Sequence, residues 1–245
     1  MIPYSKQFID ASDIKEVVKV LKSDLITQGP KVIEFEEKIA NFCASKFAVS
    51  TNSATSALHI SCMSLGLKKG DIAWTSPISF VASANSALYC GANIDFVDID
   101  PDTYNMCPLE LEKKLKNIKN KKNLPKIVIV VHMGGLSCDM KKIFKLSKKY
   151  NFKIIEDASH ALGAKYFDDN VGSCRYSDVS VFSFHPVKII TTGEGGMITT
   201  NNKKISNKCK LLRTHGINKD KNFFLNKKSP PWHYEQIYLG YNYRM

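Results

Sequence analysis

Apolar positions along the chain change their period near residue 46. Before that point they recur at helical spacing. Ile14, Val17, Val18 and Leu21 follow a capping candidate at Asp10 or Ser12 and predict a first helix. Val32, Phe35, Ile39 and Phe42 predict a second, after the turn TQGP at 27–30. Further on, short apolar runs predict strands at FAVS (47–50), IAWT (72–75), IDFVDI (94–99), IVIVVH (127–132), KIIED (153–157), VSVFSF (179–184) and GMITT (196–200). Between most of them lie helical stretches such as SALHISCMSLG (56–66) and MKKIFKLSKKYN (140–151). Strands alternating with helices predict an α/β fold. Because the strands are almost continuously apolar, the sheet is expected to be mostly parallel and seven-stranded, with helices on both faces. The segment at 218–236, rich in charge and proline, interrupts this pattern and is expected to be a surface excursion.

Composition narrows the class. The 245 residues, 44% of them hydrophobic, suffice for one large domain with an ample core. The formal net charge is +12, but the lysines are spread along predicted helices and loops. The densest group, KKLKNIKNKKNLPK (113–126), has no interleaved aromatics on which bases could stack. A solvated basic surface is therefore favoured over a nucleic-acid site, and its field would attract an anionic molecule such as a nucleotide-linked one. The seven cysteines are odd in number and form no C-x-x-C pair. They predict reduced, mostly buried thiols, neither a disulfide framework nor a zinc site. The longest strictly aliphatic run, IVIVV (127–131), is too short to span a bilayer, and the first residues carry no apolar leader run. A cytoplasmic protein with no membrane or nucleic-acid partner is expected. The absence of G-x-G-x-x-G sets aside a nicotinamide-dependent oxidoreductase.

Four stretches carry candidate chemistry, each with a plainer alternative. In STNSATSALHIS (50–61) a strand end meets a helix start rich in hydroxyls, which suits an anion, but taken alone ordinary capping by Ser53 or Thr55 explains it better. In SPISFVASAN (76–85), Phe80 either stacks on a flat ligand or belongs to the core. In IIEDASHALG (154–163), Asp157 and His160 stand at the carboxyl end of a strand, where open α/β sheets hold ligands. There Asp157 either pairs with a cationic ring nitrogen or caps a turn, and His160 is either a site residue or a core histidine. In FSFHPVKIITTGEGGM (182–197), Lys188 follows Ser183 and precedes a glycine-rich turn, among residues that read as interior. A lysine so placed loses its proton more easily and suits Schiff-base chemistry, unless its stem packs while its amine reaches solvent. Together, a hydroxyl-rich helix start, an aromatic, an aspartate and a lysine at strand ends are the parts that pyridoxal phosphate needs.

With NSATSALHI, SPISFVASAN, EDASHALG, FSFHPVKIITTGEGG, LRTHG and GYNYRM, the chain resembles the sugar-nucleotide aminotransferases of the DegT/DnrJ/EryC1/StrS family, especially members of pseudaminic acid biosynthesis. The resemblance runs from TQGP to the last residue and implies a fold-type I large domain over 31–245, after an N-terminal segment at 1–30. It also implies pyridoxal 5'-phosphate as cofactor and a two-step reaction. L-Glutamate would give its amino group to the cofactor, which passes it to the 4-keto carbon of a UDP-linked deoxysugar. Lys188 would hold the aldehyde and move the proton. Asp157 would pair with the ring nitrogen, Phe80 would stack on the ring, and His160 would lie near its phenolic oxygen. Ala54, Thr55 and Ser183 would hold the phosphate. Asn242 matches an asparagine that reaches the partner subunit's phosphate, implying a homodimer with composite sites, and Tyr4 stands where relatives touch the sugar nucleotide. Family members run about a third longer, so the chain is expected to be a fragment lacking the C-terminal small domain. The alternatives are a truncated PLP-binding or interaction protein without turnover, and an aminotransferase for a different 4-keto sugar.

Overall fold

The structure, a computed structural model, describes residues 5–225 and 228–245. Seven strands form the central sheet: β1 (Phe47–Thr51), β2 (Ile72–Thr75), β3 (Asn93–Phe96), β4 (Ile127–Val131), β5 (Lys153–Asp157), β6 (Val179–Ser183) and β7 (Gly196–Thr200). Their spatial order is β1-β7-β6-β5-β4-β2-β3. The pairings from β3 through β6 are parallel, and β7 alone runs against its neighbours on both sides. Each predicted strand is present within a few residues of its expected limits.

Strand alternation sorts the side chains into two layers. Val49, Ile127, Ile129, Ile155, Val179, Val181 and Ile198 pack on helices α3 (Ala54–Ser64), α4 (Ala82–Tyr89) and α7 (Lys203–Leu212). Trp74, Val128, Val130 and Ile154 face α5 (Pro108–Asn117) and α6 (Met140–Tyr150) on the other side. Phe182, Phe184 and Met197 pack on that face against α2 (Pro30–Cys43). Helices therefore cover both faces, as the strand composition required. The excursion at 218–236 is closed at its base by pairing of Ile217–Asn218 with Glu235–Gln236.

Of the two apolar stripes read from the sequence, the first is exposed and the second is core only in part. Helix α1 (Ala11–Leu21), capped by Asp10, has no buried residue, and Ile14, Val17, Val18 and Leu21 are all exposed. On α2 Phe42 is also exposed; the helix instead buries Glu36, Ile39, Ala40 and Cys43. Spacing shows that a face is apolar but not what covers it. No described helix is long and apolar enough to cross a membrane.

Glu36 is buried because it is fully paired. Its Oε1 accepts from the backbone N–H and the hydroxyl of Ser50, each at 2.9 Å, and from Arg213 Nη1. Arg213 also donates to the Ser50 carbonyl at 2.8 Å. One cluster thus ties α2, β1 and the end of α7 together. Removing one member of such a pair leaves the other charge buried and uncompensated. Glu36→Ala is expected to cost about 3–5 kcal/mol in urea unfolding, with an unchanged m-value.

Behind the sheet's carboxyl end, Glu156 is paired in the same manner. Burial alone would raise its carboxyl, but His132, Ser177 and Ser180 outweigh that and hold it below the ordinary range. The Cys138 backbone N–H donates to His132 Nδ1 at 3.2 Å, which leaves the ring proton on Nε2, 2.7 Å from Glu156.

Candidate active site

The carboxyl ends of β5 and β6 carry the site. Asp157 ends β5, on the face that packs against α3 and α4. Its carboxylate is buried and held by two hydroxyls: Ser83 Oγ, on the first turn of α4, donates to Oδ2 at 2.6 Å, and Ser159 Oγ donates to Oδ1 at 2.6 Å. The Ser159 backbone N–H adds a bond to Oδ1 at 3.3 Å. The carboxylate is thus fixed from both sides, as a fixed counter-charge requires. Neither serine stood out in the sequence. The D-x-S spacing of Asp157 and Ser159 is a recognisable Asx-type signal, whereas Ser83 lies 74 positions away and carried none.

Lys188 and His160 share this charge environment. Burial pushes the Lys188 amine below its usual range, and Asp157 partly opposes the shift. Burial also lowers the His160 imidazole, Lys188 lowers it further, and Asp157 pulls the other way. The surroundings of Lys188 differ from the sequence reading. Val187, Ile189 and Ile190 are exposed, so the lysine is a half-buried residue on a surface loop. The loop is closed by Phe184, whose backbone N–H donates to the Gly195 carbonyl and whose own carbonyl accepts from the Thr192 N–H and the Thr191 hydroxyl. Phe184 is fully buried and anchors it. The loop turns at Gly193, with φ +80°, a value that favours glycine.

Phe80 stands at the start of α4, where its carbonyl accepts from the Ser83 N–H. It is 71% exposed, so the core alternative fails and its ring is open to a ligand.

The start of α3 forms a cradle. Ser53 caps the helix through the Ser56 N–H at 3.1 Å, so the capping alternative holds for that residue. One cap does not exhaust a helix start: the geometry of the first turn leaves the N–H groups of Ala54 and Thr55 to an outside acceptor. Ser183 pairs across with Gly196, and Gly196 with Thr51. A Cβ at Gly196 would lie 2.4 Å from the Ser53 carbonyl carbon and 2.6 Å from the Ala54 nitrogen. Only glycine admits this approach, which sets the α3 start beside the end of β6. Asn242 is exposed, and its carbonyl accepts from Asn52 Nδ2 at 3.4 Å, so the GYNYRM stretch borders the same cradle. Tyr4 lies outside the described residues.

Comparisons with known proteins identify relatives of this chain. A transaminase of Campylobacter jejuni, UDP-4-amino-4,6-dideoxy-N-acetyl-beta-L-altrosamine transaminase, is 47% identical over 245 residues, which are 100% of this chain and 61% of that protein. The Helicobacter pylori aminotransferase PseC, involved in the biosynthesis of pseudoaminic acid, superposes with a TM-score of 0.86 at 35% identity, over 99% of this chain and 61% of that one. NtdA from Bacillus subtilis, solved with bound cofactor PMP, superposes with a TM-score of 0.79 at 28% identity, covering 97% of this chain and 51% of that one. The chain thus spans about three-fifths of the length of the curated relatives it matches. A family model matches residues 7–245, and the chain belongs to the DegT/DnrJ/EryC1/StrS aminotransferase family.

Proposed function

We propose that this chain is the cofactor-binding portion of a pyridoxal-phosphate-dependent sugar-nucleotide aminotransferase. Its donor would be L-glutamate and its acceptor the 4-keto carbon of a UDP-linked deoxysugar in pseudaminic acid biosynthesis. The observation that carries the reading is the Asp157 carboxylate, clamped by Ser83 and Ser159 and facing the electrostatically coupled pair Lys188 and His160. The residues fit the cofactor. Gly196 sets free helix N–H groups beside Ser183 for a phosphate, and an exposed aromatic ring stands one turn before the serine that grips the carboxylate.

Bound pyridoxal phosphate supplies an aldehyde carbon that exchanges amines and a ring that withdraws electrons when its nitrogen is protonated. Lys188 would provide the amine that takes the aldehyde carbon, and burial, which lowers its affinity for protons, favours the neutral, nucleophilic form. The same amine would serve as the acid–base group that moves the proton during the exchange. Asp157 would keep the proton on the ring nitrogen, Phe80 would stack on the ring, and His160 would lie near the phenolic oxygen. Ala54, Thr55 and Ser183 fix the phosphate. Asn242 extends to the phosphate of a second copy in a homodimer, and Tyr4 contacts the sugar nucleotide. The protein works in the cytoplasm, where UDP-sugars are made.

Borohydride trapping tests the reading. Incubation with pyridoxal phosphate is expected to give a visible absorbance band, and reduction should place one cofactor mass on Lys188. L-Glutamate should then bleach the band in protein that carries the full reaction. A band on Lys188 that glutamate leaves unchanged would favour the second reading, a cofactor-binding chain without turnover. Label spread over surface lysines would overturn both.

A further inference from the structure

The face of the sheet turned away from the cofactor site holds a polar cluster that the proposed reaction leaves unused. Glu156 precedes Asp157 on β5, so its side chain points to the opposite face. There it is buried, with one oxygen 2.7 Å from Nε2 of the fully buried His132 and the other accepting from the hydroxyls of Ser177 and Ser180. His132 is the residue that follows β4.

Three further atoms of His132 are engaged. Its backbone N–H donates to the Asp157 carbonyl at 3.1 Å. Its carbonyl accepts from the Gly135 N–H at 3.1 Å, and its Nδ1 from the Cys138 N–H at 3.2 Å, so the turn from 133 to 138 is wound about the imidazole. Asn105, also buried, clasps that turn: its Oδ1 accepts from the Met133 N–H at 2.9 Å and its Nδ2 donates to the Leu136 carbonyl at 3.0 Å. The turn in its course abuts His160. A Cβ at Gly135 would lie 2.6 Å from the His160 carbonyl oxygen, and Gly135 has φ +91°, so only glycine meets both demands.

We propose that His132 and Glu156 are positioning residues of the cofactor site, their side-chain hydrogen bond fixing from behind the sheet where Asp157 and His160 stand. It rests on the proposed function only for what Asp157 and His160 do, since the placement itself needs no cofactor. Ser83 and Ser159 hold the Asp157 carboxylate, whereas the main chain that carries it is held on the β4 side by His132. With Nδ1 accepting, the ring donates through Nε2, and Glu156 is its acceptor. Without that bond the imidazole keeps a single contact and can tilt, and the turn wound about it shifts against His160.

The test begins on the chain without cofactor. Glu156→Gln keeps an acceptor for the two serines but turns an NH₂ group toward the proton on Nε2. Amide hydrogen exchange over 132–138 and 157–161, read by mass spectrometry, should speed up at least about ten-fold, the effect of one lost charge-assisted hydrogen bond, while the β1–β7 pairing changes by less than about two-fold. His132→Ala should act alike. His132→Gln, whose NH₂ group can reach Glu156 as Nε2 does, should stay within about three-fold of the unaltered chain. Uniform acceleration over the whole sheet, or none at 132–138 and 157–161, would overturn the proposal. Glu156→Asp, which keeps the charge but shortens its reach, serves as the loss variant if Glu156→Gln fails to fold.

A second measurement adds pyridoxal phosphate labelled with heavy nitrogen in its ring. Lys188 should capture it equally with and without Glu156→Gln, whereas the ring-nitrogen resonance should move toward its unprotonated position in Glu156→Gln. On top of Asp157→Asn, the same change should move the resonance no further. A further move there, or none with Asp157 in place, would overturn the action through Asp157. Failure of the unaltered chain to capture the cofactor would overturn the proposed function instead, and the exchange rates would still decide the positioning.

Discussion

Replacing Lys188 with alanine is expected to abolish covalent capture of pyridoxal phosphate and to lower transamination by at least about 10⁴-fold. In the proposed reaction one residue would perform two tasks, as nucleophile toward the aldehyde and as the base that moves the proton, and a positioned base alone contributes about 10²–10⁴-fold. The fold should survive. Lys188 sits on an exposed loop closed by Phe184 and Gly195, and its amine makes no hydrogen bond or ion pair among the described residues, so the melting temperature should move by no more than about 2 °C. The unaltered protein adds a pH signature. The Lys188 amine is pushed below the usual lysine range. Its neutral fraction therefore grows as pH rises through a value lower than that of surface lysines. Trapping on Lys188 should accordingly rise at lower pH than labelling of those lysines. Full covalent capture by Lys188→Ala, read by mass spectrometry after reduction, would overturn the assignment.

The second large effect is expected for Asp157→Asn. The hydroxyls of Ser83 and Ser159 both donate to the native carboxylate, one to each oxygen. An asparagine offers one acceptor oxygen and an NH₂ group that must face one of those donors, and it carries no charge to retain a proton on a ring nitrogen. Cofactor affinity should fall modestly, because phosphate and aldehyde contacts remain. Proton transfer should slow by about 10²–10³-fold, the usual cost of removing one fixed electrostatic partner of a developing charge. A stopped-flow half-reaction with glutamate, set beside a cofactor titration, separates the two. Equal losses in both would reduce Asp157 to a structural role.

The strands were legible because a parallel sheet covered on both faces leaves short runs with little polar interruption, and all seven appear where those runs lie. The site residues were legible as types at strand ends. What holds them was not. Ser83 reads as an ordinary helix serine until the fold brings α4 over β5. Gly196 reads as part of a glycine-rich turn, yet its role is contact with the Ser53–Ala54 peptide, 142 positions away. Glu36 reads as a surface residue of an amphipathic helix and is buried by pairing with Arg213. Each depends on a partner distant in sequence, which local periodicity does not encode. The exposure of α1 has the same origin, since its spacing predicts the helix that is present but not what covers its apolar stripe.

The place of β7 in the sheet bears on how the chain is made. It lies between β1 and β6 and, among the described residues, is the sole strand bonded to β1. During synthesis β1 emerges early but has no neighbour until residue 200 has left the ribosome, and β6 meanwhile shows an open edge. Such unpaired edges promote association between nascent chains, and contacts of this sequence separation form slowly. The cradle of Ser53, Ala54 and Gly196 closes in that same late step. On the proposed function pyridoxal phosphate would find a seat only on the finished sheet, and at a hundred times its dissociation constant it would shift the equilibrium toward that sheet by about 2.7 kcal/mol. Cofactor supply during expression should then govern the yield of folded chain as well as its activity.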